Sequence, residues 1–544
     1  KKQFIYRHRL HKKNPNLKLS EAVEPIVYYL DPGTPEPIRS ALLEGASWWN
    51  QAFDAIGYKD AFQVKMLPPD ADPLDVRYNV IQWVHRSTRG WSYGGSINDP
   101  RTGEIIKGHV SLGSLRIRQD FLIAQALMNR PFENDDQNYQ PMLELALARI
   151  RQLSAHEVGH TLGFAHNFAA STNSRASVMD YPHPKITLKK DEIDFSEAYA
   201  TGIGEWDKVT VAYSYSDIPG DQSEKSYLSK LLMEAFSDGL HYISDADARP
   251  QGGAHAKAHL WDNGTTATEE LKNVLAVRKK AIENFSIDNI KSGEPLSKLE
   301  DVFVPLYFYH RYQTEAAIKS IGGLDYTYAV KGASGIVVQI ISKEKQEAAL
   351  NEIMHTLEVK TLKIPQRILE LFPPRAMGYE RTRESFKSNT NVAFNSLGPA
   401  ATASNMTLRL LLNAERANRL VEQHALSKSN LSLNEVLSQL IKHRFTVKTK
   451  TSYETEIAHT VQYSVFQNVL NLTATDQASP QVKSIANETL DTLFTMLKSN
   501  KSTFNNQLIR ELISFRKYPE RFKIYEVPKI PDGSPIGSAP CLMN

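Results

Sequence analysis

The sequence predicts an α+β domain, built as a twisted mixed sheet against a long buried helix, followed by a mainly α-helical C-terminal region. Three observations predict it. Short apolar runs alternate with helical periodicity as far as residue 112, a segment from Pro141 carries apolar residues at helical spacing into a cluster of histidines, and beyond residue 217 the apolar pattern is overwhelmingly helical.

The elements follow in order. Residues 25–30 (PIVYYL) read as a strand, and Ile38, Leu42, Ala46, Trp49 and Phe53 recur at helical spacing across residues 35–56. Phe62 to Leu67 and Asn79 to Val84 are further strands, and Glu104 to Leu112 is the last before the long helix. Between them, Gly94 and Gly95 read as turn residues; a phosphate loop is set aside because no Lys-Ser or Lys-Thr follows and no strand-to-helix step is evident. From Pro141, suited to a first helical turn, Leu143, Leu147, Ile150 and Leu153 define a buried amphipathic helix. Trp206, Val209 and Tyr213 share a face in residues 196–216, so a domain boundary is expected near 217. Downstream, residues 268–285 carry Leu271, Leu275, Ile282 and Phe285 on one side, Ser342 opens a segment with Ala348, Leu350 and Ile353, and Ser432 with Glu435 reads as a capping box. No repeat period is convincing, so this region is read as irregular and helical, with a scaffolding or substrate-restricting use. The organisation expected is a basic N-terminal arm (1–24), a first domain (25–217), a polar connecting segment (218–265), a helical region (266–525) and a Pro/Gly-rich extended tail (526–544).

The chemistry is concentrated in residues 156–166, HEVGHTLGFAH. On a helix, His156 and His160 lie one above the other and can aim at one metal ion. Gly163 lets the chain leave the helix in a conformation that a Cβ resists, and the turn brings His166 round as third ligand. Three neutral imidazoles leave a fourth position for water, which is the plan of a catalytic zinc site. Glu157 is not a ligand but the general base that holds that water and takes its proton. With 16 His and 27 Gly in 544 residues, five such positions would coincide by chance in about one chain in ten thousand.

Thirteen residues beyond His166 comes Ser177-Val178-Met179-Asp180-Tyr181, and here the sequence resembles the metzincin clan of zinc metalloproteases. The resemblance implies a metzincin-like catalytic domain binding one catalytic Zn2+, with Met179 as an apolar floor beneath the imidazoles. Tyr181 resembles the tyrosine of astacin-like and serralysin-like members, which binds the metal or swings to the developing oxyanion; the alternative is an ordinary core aromatic. By the same analogy Gly108, His109, Val110, Ser111 and Leu112 form the cleft rim that pairs with an extended substrate, or else an edge strand with no ligand. The runs WWNQAFDAIG, NDPRTGEI, GEWDK, HLWDNG and PLYFYHRYQ resemble more closely the bacterial Met-zincin group of zinc-dependent metalloproteases, whose members carry a helical region after the protease domain. That resemblance implies peptide-bond hydrolysis, a peptide or protein substrate, and an exported protein, periplasmic, envelope-bound or secreted. Members often have a further upstream region, so the start at Lys1 is expected to be a trimmed one. A silent binding module on the same scaffold, or a zinc hydrolase of a non-peptide amide, are the rival classes.

Composition narrows the rest. A net charge of +3 gives no argument for a nucleic-acid partner, and Lys1, Lys2, Arg7, Arg9, Lys12 and Lys13 read as a solvated arm. No run of 18 apolar residues exists to cross a membrane. The single Cys541 cannot form an intrachain disulfide and is read as neither ligand nor nucleophile. Residues 239–264 hold Asp245, Asp247, His255, His259 and Asp262, but the spacings match neither a calcium loop nor a zinc pair, so a loop packing back on the first domain is expected there rather than a second metal site. Oligomeric state is not legible.

Overall fold

The structure, a computed structural model, describes residues 3–87, 90–332, 335–526 and 528–533, so Lys1, Lys2 and Cys541 lie outside the described residues. Its strands are β1 (Ser20–Glu21), β2 (Ile26–Leu30), β3 (Tyr58–Lys59), β4 (Phe62–Met66), β5 (Asn79–Val84), β6 (Tyr93–Asn98) and β7 (Ile105–Gly113). Five of them form one sheet in the order β4-β2-β5-β7-β6, every pair parallel except β6 with β7. The parallel strands β2 and β4 are joined through α1 (Ile38–Ser47) and α2 (Asn50–Ala55). The single helix expected over 35–56 is thus two, meeting at Trp48 and Trp49, where the buried Trp49 indole donates to the Ala155 carbonyl at 2.7 Å.

β6 corrects the reading of Gly94 and Gly95 as turn residues. Gly94 is needed because the strand runs against the helix that follows: a Cβ there would stand 2.1 Å from the carbonyl oxygen of Glu157. The same strand corrects the rim. Gly108 to Leu112 lie in β7, paired to β5 on one side (Val110 opposite Ile81) and to β6 on the other (Val110 opposite Gly94). Both edges of that backbone are taken, so it cannot pair with a peptide; the free edge belongs to β6. Glycines weaken a strand signal in the sequence, which is why β6 was illegible.

After α3 (Arg116–Leu127), helix α4 (Gln140–Thr161) crosses beneath the sheet with sixteen of its 22 residues buried. It is less an amphipathic helix than one enclosed on all sides at its C-terminal half. It also joins two cores. Leu147, Ile150, Leu153 and Val158 pack with Trp49, Phe53, Ile81 and Val110 of the sheet layer. Met142 and Leu145, with Ile123 and Leu127 of α3, belong instead to the apolar core of the helical region, with Leu271, Phe303, Val465 and Leu490. A fully buried Leu, Ile or Val contributes about 1.5–3 kcal/mol, so the shared core couples the two regions strongly.

α5 (Glu205–Tyr215) is shorter than the span 196–216, and its buried side is Trp206, Asp207, Val211, Ser214 and Tyr215, with Val209 and Tyr213 only half-buried. Beyond it come α6 (Glu224–Ser237), α7 (Asp245–Ala248), α8 (Ala267–Asn284) and a helical stack that includes Lys343–Thr356, Gly398–Leu411, Ser452–Ala474 and Pro480–Ser499. Ser432 and Glu435 form the expected capping box. In Lys343–Thr356 it is Ala349, not Ala348, that faces the core. Among the described residues no helix is long and apolar enough to cross a membrane.

The N-terminal segment is exposed over most of its described length but is fastened to the first domain at several points. Arg7 bonds by backbone to Gly103 and Ile105 and by guanidinium to the Ser214 carbonyl at 2.8 Å, and Arg9 pairs with Glu104. Arg7 and Arg9 thus meet a carbonyl and a carboxylate on the first domain, while Lys13 pairs with Glu21 of the segment itself, which a charge count cannot reveal.

Candidate metal centre

The last two turns of α4 carry His156, Glu157 and His160, all almost fully buried. Gly163 follows with φ +97°, the left-handed conformation that a side chain resists, and a Cβ there would also strike the Tyr6 carbonyl at 2.3 Å. The chain turns at that point and returns His166 to the other two. The His160 Nε2 atom lies 3.1 Å from His156 Nε2 and 3.1 Å from His166 Nε2.

Protons decide what those contacts are. Each Nδ1 faces an acceptor: the Val178 carbonyl for His156 (2.7 Å), the Phe164 carbonyl for His160 (2.9 Å), the Asp245 carboxylate for His166 (2.9 Å). Each neutral ring therefore carries its proton on Nδ1 and turns a bare Nε2 lone pair inward. Three lone pairs at that separation repel one another unless a cation lies between them. A tetrahedral zinc with Zn–N bonds of about 2.0–2.1 Å sets nitrogens about 3.3 Å apart, so the donor set fits zinc. Burial, with the neighbouring imidazoles, holds His156 far below the usual histidine range and His160 down to about 3. His166 is lowered too, chiefly by burial, with Asp245 pulling it back up. All three are neutral and ready to ligate near pH 7. Among the described residues they are the one group of three or more His, Cys, Asp or Glu side chains placed to share an ion.

Glu157 projects from the same turn. Its Oε2 has no hydrogen-bond partner, and burial pushes its carboxyl up to about 8, opposed by Arg149, the Gly94 amide and Arg116. An unpartnered carboxyl oxygen in a buried site is a place for a water to be held.

Met179 lies 1 % exposed under the helix, and a Cβ on Gly159 would stand 2.2 Å from its sulfur; that glycine makes room for the methionine. The turn around it is fixed from α5. Asp207 Oδ1 accepts from Ser177 Oγ at 2.6 Å, and Oδ2 accepts from the amides of Val178 and Gly204, each at 2.8 Å. The Tyr181 ring sits 5.1 Å from that of His156 and 4.8 Å from that of His166, backed by Trp261 at 5.0 Å. Trp261 is itself held by its amide on the Tyr181 carbonyl (2.8 Å) in a left-handed backbone conformation (φ +67°).

The structure thus brings together His156, Glu157, His160, Gly163, His166, Met179 and Tyr181, and leaves Gly108 to Leu112 in the sheet interior. The 239–264 segment does pack back on the first domain, but its acids and histidines separate: His255 bonds the Tyr326 carbonyl, His259 faces Glu315, Asp247 accepts from Tyr326 and Tyr328, and Asp245 alone reaches the site. Asp245 stood out in the polar segment, but its role behind His166, like the roles of Asp207 and Arg249, was not legible because the partners are distant in sequence. The spacing GEWDK was visible; what its aspartate would meet was not.

A buried three-histidine site with an adjoining glutamate, above a methionine turn and beside a mixed sheet, has the donor set of a zinc-binding site. The family described as Met-zincin matches residues 138–452, more than half of the chain, and the chain belongs to that family. No curated protein and no solved structure matches it.

Proposed function

We propose that this chain is a zinc-dependent peptide-bond hydrolase acting as an endopeptidase. The observation that carries the reading is the convergence of three proton-free Nε2 atoms beside the unpartnered oxygen of Glu157. Bound by His156, His160 and His166, zinc supplies Lewis acidity toward a carbonyl and a water. Glu157 orients that water, removes its proton as it attacks the scissile carbon, and delivers the proton to the departing amine. The Tyr181 hydroxyl donates to the oxyanion, a contribution of about 3 kcal/mol for one such donor. The substrate backbone lies along the free edge of β6, where Tyr93 and Ile97 are exposed and Trp91 is exposed just before the strand, in place of the rim first expected in β7.

The test is digestion of an unfolded protein and of a peptide library by the zinc-loaded chain. Fragments should form, disappear with a chelator and return with zinc. A zinc-loaded chain that leaves both intact overturns the reading.

A further inference from the structure

We infer that Asp245 and Arg249 form a positioning relay for the metal site, Asp245 fixing the ring of His166 and Arg249 holding both that carboxylate and the hydroxyl of Tyr181. The inference rests on the zinc reading above. The three histidines are not fixed alike. His156 and His160 lean on carbonyls of their own neighbourhood, the methionine turn and the helix end, whereas the Nδ1 of His166 meets a carboxylate from 79 residues further along at 2.9 Å. A carboxylate behind a ligating imidazole fixes the tautomer, locks the ring and strengthens the nitrogen as a donor.

Asp245 is itself held on both oxygens. Ser244 Oγ donates to Oδ2 at 3.1 Å, and Arg249 Nε donates to Oδ1 one helical turn on. The same guanidinium sends Nη2 toward Tyr181 Oη at 3.5 Å and lies 5.6 Å over the rings of both Tyr181 and Phe168. One arginine therefore touches the anchor of the third ligand and the phenol packed beside that ligand.

The relay is carried to the site by a clamp. Asn167 Nδ2 donates to the His241 carbonyl at 2.8 Å, its Oδ1 accepts from the Ile243 amide at 3.2 Å, and the Phe168 amide donates to the Ile243 carbonyl at 2.8 Å. From the far side, the hydroxyls of Tyr326 and Tyr328 grip Asp247. A residue directly after the last ligand thus determines where the segment carrying Asp245 lies.

The experiment uses the full chain stripped of metal, titrated with zinc against a chromophoric chelator and, separately, with cobalt to record the visible bands. Asp245→Ala should weaken zinc binding by about 10–100-fold, and the nearly isosteric Asp245→Asn by less, with a shifted cobalt spectrum in both. Arg249→Met should shift the cobalt bands in the same sense, and Arg249→Lys should partly restore them. The thermal midpoint of each metal-free variant separates these effects from loss of folding: if Asp245→Ala does not fold, Asp245→Asn carries the comparison. Zinc affinity within twofold of the unaltered chain, with an unchanged cobalt spectrum, in both Asp245 variants overturns the relay. None of these readings needs peptide cleavage, so a chain that binds zinc through the relay yet cuts nothing sinks the protease reading alone.

Discussion

Asp207 and His156 are tied through a single residue: the Asp207 carboxylate accepts from the Val178 amide at 2.8 Å, and the Val178 carbonyl accepts from His156 Nδ1 at 2.7 Å. Gln152 donates to the same carbonyl at 3.0 Å, so the residue that orients the first ligand is held at its carbonyl from α4 and at its amide from α5. The methionine turn is therefore less a loop than a strap fastened at both ends.

Replacing Asp207 by Asn leaves one acceptor where three donors converge from Ser177, Val178 and Gly204. At least one buried donor then goes unsatisfied, at a cost of about 1–3 kcal/mol. Denaturant unfolding of the metal-free chain should show that loss, and zinc affinity should fall with it because Val178 is no longer fixed. Equal midpoints for Asp207→Asn and the unaltered chain would refute the strap.

Glu157→Gln keeps the shape of the side chain and loses the base. Zinc stoichiometry should stay at one per chain while peptide cleavage drops by about 10²–10⁴-fold, the span of general acid–base catalysis. Metal analysis beside a fluorogenic peptide assay measures both; unreduced turnover refutes the role of Glu157.

The two glycines of β6 should behave oppositely. A Cβ at Gly94 meets the Glu157 carbonyl at 2.1 Å, whereas one at Gly95 finds nothing within 4 Å. Gly94→Ala should cost about 1–3 kcal/mol as strand and helix are forced apart, and should lower activity through displacement of Glu157. Gly95→Ala should change stability by no more than about 0.5 kcal/mol. Chemical denaturation of the pair checks the contrast.

Stability should fall in acid through buried histidines away from the site. Burial, then the nearby Lys319, lowers His259 to about 4 despite Glu315, and burial with Arg278 and Arg311 lowers His310 far below its ordinary value. A folded-state pKa below the unfolded one means that the stability is present above about pH 6.5 and is lost as pH falls toward the folded value. Each such histidine contributes a slope of about 1.4 kcal/mol per pH unit in that window. His259→Gln should flatten the fall between pH 6.5 and 4 by about that amount in thermal melts; an unaltered slope would count against it.

What the sequence revealed about the site depended on distance along the chain. His156, Glu157, His160, Gly163 and His166 lie within eleven residues, and helical geometry converts their spacing directly into convergence. Met179 was recognisable from a short pattern. Strands β2, β4 and β5 could be read because their residues are apolar and their ends are marked, and the helical periodicity past 217 likewise matched. β6 could not, since two glycines in a row carry the signal of a turn and only the proximity of Glu157 explains Gly94. The roles of Asp207 and Asp245 could not either: a carboxylate on a helix is ordinarily solvated, and only the tertiary structure shows that Asp207 holds the methionine turn and Asp245 the ring of His166.

Helix α4 begins in one core and ends in another, its first turns embedded with Leu271 and Phe303, its last bearing the ligands under the sheet. Cutting the chain after α5 would not yield a smaller working unit but a helix whose root has been exposed to water, with Ile123, Leu127, Met142 and Leu145 stripped of cover and Asp245 gone from behind His166. The metal centre and the helical mass that follows it are one object to inheritance: neither half can be exchanged or lost without the other losing its footing.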